Sequence, residues 1–354
     1  MDILNQMQLE NHEQVNFFHD PKTNLKAIIA IHSTELGPSL GGCRMMEYES
    51  EQNALFDVLR LAKGMTYKSA IAGLKLGGGK SVIIGNSKTN KTDELLEKFG
   101  EFIDSLGGRY ITAEDMGMNV KDMEIIKRKT NHVTGLAKDL GGSGDPSEVT
   151  SYGTYMGILS AVKFKLNKDN LDGLRIMVQG LGNVGMKLIA YLAKHDINLF
   201  VSDIDADKVS DCVSSFGATP IAEKDVYDLD ANIYCPCAVG ATVNDKTIDR
   251  LNFDIIAGAA NNVLENYEKH GNILFRKNIL YAPDYVINAG GVINIYNELG
   301  EYNKIDVFKQ VEKIYDNLLN IFVESEKQNI ATNIVSDLLA EKIINEHKND
   351  KIRI

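Results

Sequence analysis

Two strand-like runs open the chain: Gln14-Val15-Asn16-Phe17-Phe18 and Leu25-Lys26-Ala27-Ile28-Ile29-Ala30-Ile31. Asp20-Pro21-Lys22-Thr23-Asn24 lies between them as turn chemistry, so the pattern predicts a hairpin. Gly37-Pro38 and Gly41-Gly42 then break regular structure. Ala54, Leu55, Val58, Leu61 and Ala62 recur at helical spacing, and this pattern ends near Lys68. Ser50 suits its N-cap and Glu51 its first turn. Asn53 stands where a full capping box needs Glu or Gln. Ser81 to Gly85 reads as a short buried strand directly after a glycine run. Thr92 to Leu106 reads as an amphipathic helix stopped by Gly107-Gly108. Tyr110 to Ala113 reads as a strand running into Glu114-Asp115.

Gly141-Gly142-Ser143-Gly144-Asp145-Pro146 is the best candidate linker, and the texture changes after it. Strand-like runs at Leu174 to Gln179, Ile197 to Ser202, Ala231 to Tyr234, Asp254 to Ala257 and Ile279 to Ala282 alternate with helical segments. That alternation signals a parallel sheet wound with helices. From Lys304 onward the chain reads as mostly helical. At roughly 100–200 residues per domain, 354 residues suggest two domains, perhaps three.

Composition narrows the function. A net charge of -11, without a Lys/Arg run, argues against a nucleic-acid binder. The cysteines, Cys43, Cys212, Cys235 and Cys237, are sparse, and the Cys235-Pro236-Cys237 spacing fits neither a redox pair nor a zinc knuckle. No metal is assigned. The N-terminus lacks a basic region followed by an apolar stretch, and no apolar run spans a bilayer. A cytoplasmic protein is expected.

Gly180-Leu181-Gly182-Asn183-Val184-Gly185 fits G-x-G-x-x-G in full context. The strand Ile176-Met177-Val178 precedes it, a helix from Met186 follows, and a second strand ends at Asp203. The first glycine permits the turn, the second admits a pyrophosphate, and the third allows close helix–strand packing. The helix N-terminus offers free N–H groups to phosphate. Asp203 can accept the ribose hydroxyls, which favours NAD over NADP, with Asp205 nearby reinforcing this. The competing reading makes Asp203 a helix N-cap.

Two lysines stand in unusual settings. Lys68 ends its helix, and Lys80 follows Gly77-Gly78-Gly79 before an apolar run. An enclosed lysine near another cation has a depressed pKa and can serve as general base or acid. Asp115 could shuttle a proton with Lys80, or could be a turn residue; both readings stay open.

The segments Leu36 to Met45, Leu61 to Lys68, Gly77 to Ile83, Thr112 to Gly117, Ala257 to Asn262 and Tyr281 to Gly291 resemble the signature blocks of the glutamate/leucine/phenylalanine/valine dehydrogenase family, most of all its leucine-specific members. The resemblance covers nearly the whole chain in order. It implies an α/β protein with an N-terminal substrate and oligomerisation domain at 1–146, a Rossmann-like NAD-binding domain at 147–325 and a cleft between them that closes. A C-terminal helix at 326–354 would return to the first domain. Lys68 would hold the substrate carboxylate, Lys80 would activate water, Asp115 would exchange protons, and Asn262 would orient the substrate. The dinucleotide would also meet Thr150, Leu181, Asn183, Val184, Ile204, Cys237, Ala238 and Asn261. A homo-oligomer, either octamer or dimer, is implied.

Leu40, beside Gly41 and Gly42, takes the place of the lysine that binds a side-chain carboxylate in glutamate-specific relatives. Ala113, Val292 and Ile295 match pocket positions of leucine-specific ones, whereas phenylalanine-specific ones tend to have glycine at Ala113. A branched aliphatic amino acid, leucine with valine and isoleucine, is therefore expected. Departures are Cys43, Asp145 and Glu148, where leucine-specific members usually have threonine, asparagine and proline. The alternatives are a phenylalanine enzyme, a member recruited to specialised metabolism, or a non-catalytic NAD-binding sensor.

Overall fold

The computed structural model describes residues 2–238 and 240–352. The fold is α/β in two compact units. Unit 1 comprises 2–144, Ile295–Asn303 and 340–352; unit 2 comprises Asp145–Asn294 and Lys304–Leu339.

Unit 1 runs α1 (Ile3–Glu10), β1 (Gln14–Asp20), β2 (Leu25–Ser33), β3 (Ser39–Met46), α2 (Glu51–Ile71), β4 (Gly77–Ile84), α3 (Asp93–Asp104), β5 (Tyr110–Glu114) and α4 (Val120–Lys127). Its strands form one mixed sheet ordered β1-β2-β4-β3-β5. β1 and β2 form the expected hairpin, with Gln14 opposite Ile31 and Asp20 opposite Leu25. The Asp20 carboxylate accepts from the Thr23 N–H and hydroxyl and closes the turn. Side chains alternate across β2. Leu25, Ala27, Ile29 and Ile31 pack with Leu95, Phe99, Met123 and Ile126 of α3 and α4. Ile28 and Ala30 pack with Ala54, Leu55, Val58 and Ala62 of α2. The sheet is thus covered on both faces. Ser50 caps α2, its hydroxyl accepting from the Asn53 N–H at 3.1 Å.

Both glycine runs differ from expectation. Gly41-Gly42 does not break the chain; it lies within β3, a strand flanked by β4 and β5. Gly77-Gly78-Gly79 does not precede a strand but opens β4. The reason is close approach: a Cβ on Gly41 would collide with the Gly79 carbonyl, and one on Gly42 would lie 2.6 Å from the Glu114 carbonyl oxygen. Here glycine is required by neighbouring backbone, and it costs strand stability elsewhere recovered by burial.

Unit 2 contains α5 (Ser147–Leu166), β6 (Arg175–Gln179), α6 (Asn183–Leu192), β7 (Asn198–Ser202), α7 (Ala206–Phe216), β8 (Thr219–Pro220), β9 (Ala231–Pro236), β10 (Phe253–Ile256), α8 (Tyr267–Arg276), β11 (Leu280–Tyr281), α9 (Asp284–Ile287) and α11 (Lys304–Gln328); α10 (Gly290–Asn297) and α12 (Thr332–Ile352) begin in it. All six strands pair in parallel, in the order β11-β10-β9-β6-β7-β8. The chain order reverses between β6 and β9, and ligands bind outside the strand C-termini at such a switch point. No helix among the described residues is long and apolar enough to cross a membrane.

Candidate active site

In unit 1, β3, β4 and β5 bring several expected residues together. Lys80 lies in β4, almost wholly buried, and its Nζ donates to Asp115 Oδ2 just beyond β5. Met116 N–H donates to the other oxygen, Oδ1, at 2.6 Å. Asp115 is therefore more than a turn residue: it is the direct partner of a buried ammonium. Leu40 is fully buried on β3, and Gly42 pairs with Ala113 of β5, itself buried. Lys68 occupies the last turn of α2, half-buried.

Burial, then the Arg44 cation, and more weakly that of Lys68, push the Lys80 ammonium down to about 7. Cys43 and the Asp57 carboxylate work in the opposite direction. A lysine so placed exchanges a proton near neutral pH, as a general base must.

Arg44 and Asp57 were not among the expected site residues. Arg44 Nη1 donates to Asp57 Oδ2 at 2.8 Å, and Nη2 lies 3.7 Å from Asp115 Oδ1. Its Nε is buried without a hydrogen-bond partner among the described residues. The available signal was a lone cation inside the otherwise apolar run Leu40 to Met46.

In unit 2 the glycine loop caps β6. Gly180 has φ +103°, and a Cβ there would lie 2.7 Å from the Ala238 nitrogen. A Cβ on Gly185 would collide with the Gly180 carbonyl, whereas one on Gly182 would enter open space. Gly182 is the N-cap of α6 and supplies no side-chain cap, so the first N–H groups of Asn183, Val184 and Gly185 remain available to an anion. Leu181 is buried in the turn, and its N–H donates to Asp203 Oδ2 at 2.5 Å. Asp203 Oδ1 accepts from the Asp205 N–H at 2.9 Å. Asp203 is not the helix cap; Asp205 caps α7. Since an ionised carboxylate has about four lone-pair sites, Asp203 keeps capacity for ribose hydroxyls. Ile204 beside it is 92% exposed, an apolar surface at the same strand end.

Cys237 follows β9, and its N–H donates to the Gln179 carbonyl at 2.7 Å. A Cβ on Gly185 would stand 3.5 Å from the Cys237 Cβ, so this side chain packs close to the glycine loop. Asn262 has left-handed φ of 53° beside Asn261, whose Oδ1 accepts from Asn288 Nδ2 at 2.7 Å. Thr150 lies in the first turn of α5, against Gly291. Val292 and Ile295, the expected pocket residues, lie one turn apart on α10, the first buried and the second partly buried. The unexpected acids have cations as partners: Asp145 pairs with Lys187 at 2.5 Å and Glu148 with Lys304 at 2.9 Å.

An open second glycine, an uncapped helix N-terminus and an acid at the next strand end fit a dinucleotide, and a depressed buried lysine fits proton transfer. Together these define a dinucleotide-dependent α/β enzyme. Residues 12–132 match the family described as Glu/Leu/Phe/Val dehydrogenase, dimerisation domain, and residues 141–206 and 200–342 match Glutamate/Leucine/Phenylalanine/Valine dehydrogenase. The chain is 48% identical to leucine dehydrogenase of Bacillus cereus over 99% of its length and 96% of that protein. It is 49% identical to L-tryptophan dehydrogenase of Nostoc punctiforme over 96% and 95% of the two chains. The crystal structure of the Nostoc punctiforme enzyme superposes with a TM-score of 0.87 at 45% identity, covering 98% of this chain and 99% of that one. Phenylalanine dehydrogenase of Caldalkalibacillus thermarum is 44% identical over 92% and 89%. The chain belongs to the Glu/Leu/Phe/Val dehydrogenase family; it is an amino-acid dehydrogenase of the group that includes the leucine, phenylalanine and tryptophan enzymes, and its cofactor is a nicotinamide dinucleotide.

Proposed function

We propose that this enzyme oxidatively and reversibly deaminates a branched-chain L-amino acid, leucine first, with NAD as cofactor. Leu40 carries the reading of the substrate. It is fully buried on β3 opposite Ile111 of β5, two residues along the strand from the Gly42–Ala113 pair, so the expected side-chain pocket is apolar there. A second carboxylate buried there without a partner would cost several kcal/mol, which argues against glutamate. Ala113, rather than glycine, leaves less room for a ring, although a methylene is worth only about 1–3 kcal/mol in such a pocket.

Lys68 holds the substrate α-carboxylate as a fixed positive charge. Lys80, with its amine free near pH 7, accepts a proton from the water that attacks the imino carbon. Asp115 passes protons between Lys80 and the substrate nitrogen. Asn262 orients the substrate. The bound dinucleotide supplies the hydride acceptor. Gly180 to Gly185, with Thr150, Ile204, Cys237, Ala238 and Asn261, hold it, and Asp203 takes the ribose hydroxyls. A 2′-phosphate would meet the Asp203 carboxylate, which disfavours NADP. A cytoplasmic homo-oligomer accompanies this reading.

A second reading, an aromatic amino acid as substrate, draws on the similarity to the tryptophan enzyme of Nostoc punctiforme. Initial rates with leucine, valine, isoleucine, phenylalanine, tryptophan and glutamate, each with NAD and NADP, separate the two. The expected order is leucine above valine and isoleucine, aromatics lower, glutamate absent, NAD far above NADP. Higher kcat/KM with tryptophan or phenylalanine overturns the substrate assignment, and parity between cofactors overturns the role of Asp203.

A further inference from the structure

Three elements meet at a pair of buried histidines that the mechanism above does not use. His32 lies on β2 and His12 between α1 and β1, with ring centroids 4.8 Å apart in an edge-to-face arrangement. His12 Nε2 lies 2.9 Å from the Leu59 carbonyl of α2, and His32 Nε2 lies 3.0 Å from the Glu10 carbonyl of α1. A carbonyl can only accept, so each Nε2 carries the proton. In neutral imidazole the other nitrogen is then an acceptor. His32 Nδ1 must accept from the Thr66 hydroxyl, which lies 2.8 Å away. Burial, His12 and Lys63 push His32 down to about 3, so the ring stays neutral in the working range. Lys63 also pairs with Glu10 at 2.5 Å and fastens α1 to α2.

Thr66 has two roles at once. It sits on α2, two residues before Lys68, and it is fully buried. Its other contact is Gly78, on β4, two residues before Lys80. A Cβ on Gly78 would collide with the Thr66 nitrogen, hydroxyl and Cα. The helix carrying one lysine and the strand carrying the other therefore touch backbone to side chain at this point. Gly78 and Lys80 share one face of β4, the face that α2 covers, because residues i and i+2 project the same way.

We infer that Thr66 is a positioning residue, held by His32, and that its contact with Gly78 fixes the spacing between Lys68 and Lys80. The inference rests on the roles proposed above for the two lysines. The hydroxyl proton has two acceptors, His32 Nδ1 at 2.8 Å and the Ala62 carbonyl at 3.4 Å, and the shorter contact to His32 holds it. The methyl and oxygen are thereby aimed at defined neighbours, and α2 is pinned in one register against β4. Loosening this contact would move Lys68 away from the substrate carboxylate. It would also admit water to Lys80, which is buried, paired with Asp115 and within the field of Arg44 and Lys68. Both changes raise the proton affinity of Lys80.

The test uses the full-length enzyme and the shape-preserving substitution Thr66→Val. Loss of one positioned contact is expected to raise KM for the amino acid about tenfold, to leave KM for the dinucleotide within about twofold, and to move the acidic limb of the kcat/KM profile to higher pH. Thr66→Ser, which keeps the hydroxyl, restores both. A purely structural role would lower the melting temperature and leave the pH limb in place. His32→Leu is expected to reproduce the Thr66→Val phenotype, whereas His32→Gln keeps an acceptor for Thr66 and a donor for the Glu10 carbonyl and stays close to the parent enzyme. This pair decides the matter should Thr66→Val not fold. A folded Thr66→Val enzyme with unchanged amino-acid KM and unchanged pH limb overturns the inference, as does failure of Thr66→Ser to rescue. Lys80→Ala separates the two levels: if that variant still turns over, the assigned base is wrong; if it is inactive while Thr66→Val is normal, only the positioning role falls.

Discussion

Arg44 lies between two carboxylates and beside an ammonium, and its charge reaches all three. It pairs with Asp57 at 2.8 Å and stands 3.7 Å from Asp115. It is also the largest cause, after burial, of the low proton affinity of Lys80. Arg44→Met keeps much of the side-chain volume and removes the charge. Asp57 then retains the Tyr48 hydroxyl at 2.9 Å and Arg60 at 3.2 Å as partners. With one cation gone, the protonated form of Lys80 becomes easier to hold, so its pKa rises. Free amine then accumulates only at higher pH. The acidic limb of kcat/KM is expected to shift upward by about one pH unit, with the rate on the alkaline plateau less affected. An unmoved limb in a pH–rate comparison of the variant and parent would falsify the electrostatic role.

At the scale of elements, the glycine fingerprint separates binding from folding. Gly182 has φ of -74° and ψ of -170°, which alanine adopts without strain, and its missing side chain faces open space. Gly182→Ala should leave the melting temperature nearly unchanged while weakening dinucleotide binding at least about tenfold, since the new methyl occupies the anion's approach to the N–H groups of α6. Gly185→Ala meets the Gly180 carbonyl instead and should cost on the order of 1–3 kcal/mol of stability, as overpacking does. Thermal melts beside titrations with NADH fluorescence check both, and equal melting temperatures in the two variants would contradict the packing account. This loop was legible in the sequence because every part of it is local: strand, turn, cap and acid follow one another within about 25 residues. The hairpin and the Ser50 cap were legible for the same reason. β3 was not. Gly41-Gly42 reads as a break by local preference, and only the approach of Gly79 from one side and Glu114 from the other makes it a strand. The contact of Thr66 with Gly78 and the reach of Arg44 to Asp57 are likewise set by neighbours distant in the chain. Lys80 and Asp115 could be nominated from their surroundings, but their direct pairing is a product of the sheet order.

At the scale of the whole molecule, the open surface of unit 1 bears on assembly. β1 is an edge strand, with its outer backbone groups unpaired within the sheet. Phe17 on it is 56% exposed, and Leu4 and Leu9 of the neighbouring α1 segment are more exposed still. Natural sheets commonly protect an edge by charge, by a bulge or by another copy of the chain, and large exposed apolar groups favour the last. The matched dimerisation domain, residues 12–132, includes this strand. A 39.1 kDa chain carrying a net charge of -11 repels its copies over long range, so apolar contact must outweigh that repulsion. Two consequences follow from the competition. Sedimentation velocity at micromolar concentration should show a particle larger than one chain, and raising salt should strengthen rather than weaken it, because screening acts on the repulsion and not on the apolar contact. Phe17→Lys should shift the boundary toward smaller species while the circular dichroism stays that of the parent, since the exposed side chain belongs to neither core cluster of the sheet. A parent enzyme that sediments as a single chain, or a Phe17→Lys variant of undiminished size, would place the assembly surface elsewhere.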